Sequence, residues 1–195
     1  MEPNIHPGKD GFLRLAENFS VVPVWADVLA DFETPVSAYL KLVGDSPGFL
    51  LESVEGGERW GRYSFIGRNP RLVLESKDRE VRVSGSVPGW TPEPGGSPLD
   101  ALSGLVSAFS SPTIEELPPL HGGVVGYIGY DVVRFMEKVP CTTEDDLQIA
   151  DMSMFLAEEL VVFDHLLQKI QIVENVFIDG DPASGYAEAK SRIEA

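Results

Sequence analysis

The sequence predicts an α+β fold, with a mostly antiparallel, sandwich-like β-sheet and a few packed helices. Three observations carry this expectation. Short runs rich in valine, isoleucine and aromatic residues come in groups and are separated by turn residues. Three helix starts pair an N-cap residue with a following proline: Thr34 with Pro35, Ser97 with Pro98, and Asp181 with Pro182. Strands do not alternate one by one with helices, as a parallel sheet would require.

Residues 1–18 hold Pro3, Pro7 and Gly8 and little periodicity, so a loose segment is expected before one domain over residues 19–195. Residues 19–24 read as a short extended segment, and Pro23 makes it an edge strand or none. From Thr34 the helix shows Val36, Tyr39, Leu40 and Val43 on one face and stops at Gly44. Residues 49–67, FLLESVEGGERWGRYSFIG, form two strands about a turn at Gly56 and Gly57. A two-residue turn sets Ser53 opposite Trp60, Leu51 opposite Arg62 and Glu52 opposite Gly61, and a longer loop changes this register.

Residues 71–76 and 80–84 add two strands across a turn at Lys77, Asp78 and Arg79, extending the hairpin into a meander. Residues 85–97, rich in proline and glycine, form a loop. A helix follows, with Leu99, Leu102, Val106 and Phe109 on its apolar face. Residues 121–130, HGGVVGYIGY, match neither dinucleotide-binding nor phosphate-loop spacing. They read as a strand whose glycines let another backbone pass close, continuing as a short helix over residues 131–138. Residues 152–164 and 167–178 read as one long, apolar hairpin. The last helix presents Tyr186, Ala189 and Ile193, and no stop signal closes it before Ala195.

Composition narrows the function. Net charge is −16, from 31 acidic and 15 basic residues, which opposes nucleic acid and anionic membrane as partners. No apolar run reaches the roughly 18 residues of a membrane span. The N-terminus has no apolar signal region. A single cysteine, Cys141, fits a reducing, cytoplasmic setting. His6, His121 and His165 lack metal-ligand spacing. The adjacent pairs Glu158–Glu159 and Asp145–Asp146 read as solvated or capping charges rather than a catalytic dyad. No catalytic or metal-binding residue is assigned.

The chemistry concentrates in residues 49–67. Glu52, Ser53, Arg59 and Arg62 sit in segments that otherwise look half buried, and a buried charge needs a partner. Either an internal Glu–Arg bridge holds the strand pair, or the hairpin holds a free amino acid. In the second case a carboxylate takes the ammonium, a hydroxyl and exposed backbone take the carboxylate, and an aromatic face takes the side chain.

The segments LLES (residues 50–53), VEGGERWGRYSFIG (54–67), TPVSAYLKL (34–42), GGVVGYIGYDVVRFME (122–137) and VVFDH (161–165) together resemble the N-terminal domain of anthranilate synthase component I. The resemblance runs from about Phe19 to the end. It implies part of a lyase that converts chorismate, with glutamine or ammonia, to anthranilate and pyruvate in the first step of tryptophan biosynthesis. It further implies that LLES lines the feedback site for L-tryptophan. Ser53 is the best-supported contact and Glu52 the next, with Trp60, Gly61, Arg62 and Tyr63 as a second wall. Chorismate, Mg²⁺ and the catalytic residues belong to a C-terminal domain in that family, so this chain is expected to bind no cofactor and to be inactive alone. A glutamine amidotransferase subunit is the implied partner. Aminodeoxychorismate synthase component I, of the folate pathway, shares part of the pattern. A free-standing amino-acid-binding or docking module is a further alternative.

Overall fold

The computed structural model describes residues 3–29, 33–54, 60–78, 80–140 and 144–195, with only the backbone described at Val54 and Trp60. The expected turn at Gly56 and Gly57, together with Arg59, Arg79 and Cys141, lies outside the described residues. The chain divides into two compact units. The first comprises residues 1–70, 109–123 and 157–195, and the second residues 71–108 and 124–156. Both are built on antiparallel sheets with packed helices, as the α+β expectation requires.

The first unit holds a six-stranded sheet in the order β1-β2-β10-β9-β4-β3. Its strands are β1 (Ile5–His6), β2 (Val21–Leu29), β3 (Gly48–Val54), β4 (Trp60–Arg68), β9 (Glu159–Asp164) and β10 (Lys169–Phe177). Three helices belong to it: α1 (Lys9–Ala16), α2 (Pro35–Leu42) and α4 (Pro182–Glu194). The described part of the expected loose start, residues 3–18, is ordered into β1 and α1, and Phe12 is fully buried. Its ring lies 5.3 Å from that of Tyr186 on α4, in a cluster with Val22, Val24, Ala26, Val176, Ala189 and Ile193. The face expected for α4 is the face it buries.

Strand β2 lies second in the sheet, but at Pro23 it has a strand partner on one side only, as an edge position does. Pro23 pairs with Asn175 of β10, whose own N–H donates to the Glu158 carbonyl on the other side. Pro23 and Asn175 therefore form a non-hydrogen-bonded pair, and the missing proline N–H leaves no ladder bond unmade. On its outer side β2 meets only the two residues of β1, opposite Trp25 and Ala26.

Helix α2 starts as expected. Thr34 Oγ1 accepts from the Ser37 amide, Ser37 Oγ accepts from the Thr34 amide, and Gly44 takes φ +55° past the end. Its expected face is buried only in part. Val43 packs with Ala38, Ile66, Val161, Phe163 and Ile170, and Tyr39 lies against them, whereas Val36 and Leu40 are exposed.

The second unit holds a four-stranded sheet in the order β6-β5-β8-β7. Its strands are β5 (Leu72–Lys77), β6 (Glu80–Gly85), β7 (Gly123–Ile128) and β8 (Met152–Ala157). Helix α3 (Pro98–Ser107) packs on β5 and β6, and a 3₁₀ turn covers Tyr130–Phe135 where a longer helix was expected. In α3 the buried residues are Pro98, Ala101 and Leu105, while Val106 is exposed.

Two expected pairings are corrected. The hairpin β3–β4 and the pair β5–β6 are not one meander but belong to different sheets, because the chain turns at Asn69 (φ +45°) before Pro70. Residues 152–164 are not one strand of a long hairpin. Strand β8 pairs with β5, while β9 pairs with β10 and β4, and Glu158 separates the two. The glycine reading of β7 holds. A Cβ on Gly126 would lie 1.9 Å from the Ser153 carbonyl oxygen of β8, and 3.0 Å is the practical limit. Gly126→Ala must push β7 and β8 apart and is expected to cost about 1–3 kcal/mol, read as a lower urea midpoint.

Candidate functional site

The hairpin β3–β4 carries the residues of interest, and its register differs from the two-residue-turn expectation. Glu52 pairs with Ser64, not Gly61, while Val54 pairs with Trp60. Between these pairs β3 has one residue, Ser53, and β4 has three: Gly61, Arg62 and Tyr63. This bulge re-aims the side chains of β4. It also presses Gly61 against Ser53. A Cβ on Gly61 would lie 2.3 Å from the Ser53 Cβ and 2.4 Å from its carbonyl oxygen, so only glycine fits.

Arg62 does form an ion pair, but with Asp164 at the end of β9 rather than with a glutamate of its own hairpin. Its Nη2 lies 2.8 Å from Asp164 Oδ2, and its Nε lies 3.2 Å from both carboxylate oxygens. The Asp164 side chain is only 3% exposed, while that of Arg62 is 46% exposed. Asp164 also accepts from the amides of Leu166 at 3.0 Å and Leu167 at 3.1 Å. Burial opposes its charge, yet the guanidinium and the two amides outweigh that cost and hold the carboxyl below its usual range. The hydrogen bond to Asp164 raises Arg62 in turn. The guanidinium stands 4.8 Å above the Tyr63 ring, in cation–π geometry. Next to this pair, Ser64 Oγ lies 2.8 Å from His165 Nε2, and the His165 ring stacks on Phe163.

The expected site residues are therefore only partly assembled. Ser53 and Gly61 touch, and Arg62, Tyr63 and Asp164 form a second group. Glu52 and Ser53 are exposed rather than half buried, and among the described residues Glu52 makes no ion pair or side-chain hydrogen bond. The Trp60 side chain lies outside the description. A cavity of about 520 Å³ opens beside Arg62 and Tyr63, lined also by Trp25, Asp27, Leu117 and Gln171. A second, of about 420 Å³, lies against Thr34, Phe163 and His165. Asp164 borders both, and neither reaches Glu52 or Ser53. A larger cavity, of about 740 Å³, belongs to the second unit and contains none of these residues.

The sequence reasoning missed Asp164 as a site residue. Its signal lay in VVFDH, which marked the segment but not the partner. Glu159 is also no solvated charge. It is 8% exposed, and it receives Arg68 at 2.5 Å and Asn69 Nδ2 at 3.2 Å. Asp145 fits the expectation for exposed acids, pairing with Lys77. Among the described residues no three His, Cys, Asp or Glu side chains converge to hold a metal ion. Among the same residues no helix is long and apolar enough to cross a membrane.

Asp164→Asn is expected to destabilise the chain at pH 7 by about 1–3 kcal/mol, the worth of a hydrogen bond to a charged group. Because the folded carboxyl is shifted down, its contribution is complete above the unfolded value of about 3.9. It is lost as pH falls through the folded value. Urea unfolding of both proteins between pH 7 and 2 should show the gap closing on acidification.

No family model matches the chain. Curated relatives do. Anthranilate synthase component 1 of Acetivibrio thermocellus is 38% identical over 188 residues, covering 96% of this chain and 38% of that protein. The protein of the same name from Pseudomonas aeruginosa is 39% identical over 95% of this chain and 38% of its own length. That of Mycolicibacterium smegmatis is 42% identical over 86% of this chain and 32% of its own. Among solved structures, anthranilate synthase component I from Streptococcus pneumoniae superposes with a TM-score of 0.54 at 26% identity. The match covers 85% of this chain and 35% of that one. The chain thus spans well under half the length of the relatives it matches. By sequence over nearly all of its residues, and by fold, it belongs to the anthranilate synthase component I family.

Proposed function

We propose that this chain supplies the L-tryptophan feedback site of an anthranilate synthase, with Ser53 and Glu52 as its principal contacts. The observation that carries this reading is the state of Glu52. It is an exposed carboxylate without an ion pair among the described residues, one position from Ser53, in the segment LLES. An ammonium needs such an acceptor, and a carboxylate already tied to arginine would serve it poorly. The Ser53 hydroxyl, on backbone pressed against Gly61, would take the ligand carboxylate. Gly61, Arg62, Tyr63 and Trp60 would form the second wall. Arg62 is committed to Asp164, so its part is to hold that wall in place rather than to bind the ligand.

Chorismate chemistry and Mg²⁺ fall to the region that the longer relatives have in addition, and a glutamine amidotransferase subunit is the partner. Inhibition would follow if tryptophan binds one arrangement of the two regions better than the other, with a coupling of about 1–3 kcal/mol. A site completed by that second region should be weak on this chain alone, and the chain alone should form no anthranilate.

Calorimetric titration with tryptophan tests the reading on the chain joined to the region its longer relatives add. Glu52→Gln should weaken binding roughly 10- to 100-fold, the value of one charge-assisted hydrogen bond. Unchanged affinity would remove Glu52 from the site, and equally tight binding by the 195-residue chain alone would refute a shared pocket.

A further inference from the structure

The cavity of about 520 Å³ in the first unit has the size of a small-molecule site, for which roughly 300–1,000 Å³ is usual. The register of the sheet builds its floor. Asp27 of β2 and Gln171 of β10 are partners in the ladder, and Trp25 and Lys169, two residues away on each strand, lie on the same face. Residues 115–118 close it from the other side. Gln171 is 2% exposed. Its Nε2 donates to Asp27 Oδ1 at 2.9 Å and to the Glu116 carbonyl at 3.1 Å. Both partners only accept, so the side-chain amide cannot be turned round. Its oxygen meets no donor among the described residues and opens on the cavity.

Both cations of the cavity are already paired. Lys169 Nζ lies 2.9 Å from Asp27 Oδ2, and Arg62 holds Asp164. Glu115 and Glu116 are exposed at the mouth, and neither carboxylate has an ion pair or hydrogen bond among the described residues. We propose that this cavity binds a small organic ammonium ion carried on a flat, apolar body. The ammonium donates to the Gln171 oxygen in the field of Glu115 and Glu116, and the body lies along Trp25 and Leu117. A buried acceptor without a donor is costly, and an ammonium supplies a donor that is also charged. A free amino acid fits less well. Its carboxylate would find both cations taken and would face the two open acids, and like charges brought together repel. The site is therefore separate from the one proposed at Ser53 and Glu52, which this cavity does not reach, and does not depend on it.

Tryptamine, an indole with an ammonium and no carboxylate, is the probe. It is titrated into the whole 195-residue chain by calorimetry and followed by amide-detected NMR. Binding should saturate in the millimolar range or tighter and should shift the Gln171 side-chain amide and the Trp25 indole N–H. Indole-3-propionate, of similar body and opposite charge, should bind at least about tenfold more weakly. Joint replacement of Glu115→Gln and Glu116→Gln changes only exposed side chains. It should keep the fold and weaken tryptamine roughly 3- to 10-fold. The proposal is overturned if tryptamine binding does not saturate, if indole-3-propionate binds as tightly, if the shifts gather at residues 50–54 instead, or if the doubly substituted chain keeps full affinity.

Discussion

A carboxylate in the middle of a sheet must find a cation, and much of the first unit is arranged around that requirement. Strands β9 and β10 are its inner strands, and they carry Asp164, Glu159 and Glu174 almost without exposure. Each acid is met by an arginine from another element. Arg62 and Arg68 of β4 reach Asp164 and Glu159, and Arg192 of α4 reaches Glu174. A buried pair adds little net stability over a hydrophobic replacement, but an orphaned partner is costly. Such contacts therefore penalise wrong registers. A slipped β4 would leave two acids unmatched at once.

The bulge in the β3–β4 hairpin is where this constraint meets the proposed site. Tyr63 pairs with Asp164 in the ladder, Arg62 reaches the same acid from the bulge, and Gly61 is forced against Ser53. The geometry of LLES is thus tied through β4 to the acids of β9. Glu52 escapes the pattern, being exposed and outside the network. Among the described residues Glu52 makes no ion pair, which distinguishes it from Asp164, Glu159 and Glu174.

Much of the fold could be read before any coordinates. Helix starts at Thr34, Ser97 and Asp181 are set by a hydroxyl or carboxylate that accepts an amide two or three residues on. The apolar face of α4 was readable from its spacing, and the glycine of β7 from its place in an apolar run. The faces of α2 and α3 were read only in part. Ala38, Val43, Ala101 and Leu105 are buried there, whereas Val36, Leu40 and Val106 are exposed. Periodicity counts apolar residues, whereas burial depends on which of them meets a neighbour. Candidate site residues were found through a motif, but their grouping was not. A two-residue turn at Gly56 and Gly57 would set a simple register, and a three-against-one bulge between Glu52 and Val54 displaced it.

By itself the sequence determined what is decided within a few residues: caps, turns, strand-forming runs and the LLES segment. Tertiary structure alone decided which charges are paired, which strands share a sheet and which helix faces are buried. The physical reason is distance along the chain. A cap acts over two or three residues, whereas Arg62 finds Asp164 across 102 and Arg68 finds Glu159 across 91. No local pattern encodes those partners, because the cost of leaving a carboxylate alone exists only after the sheet has closed around it.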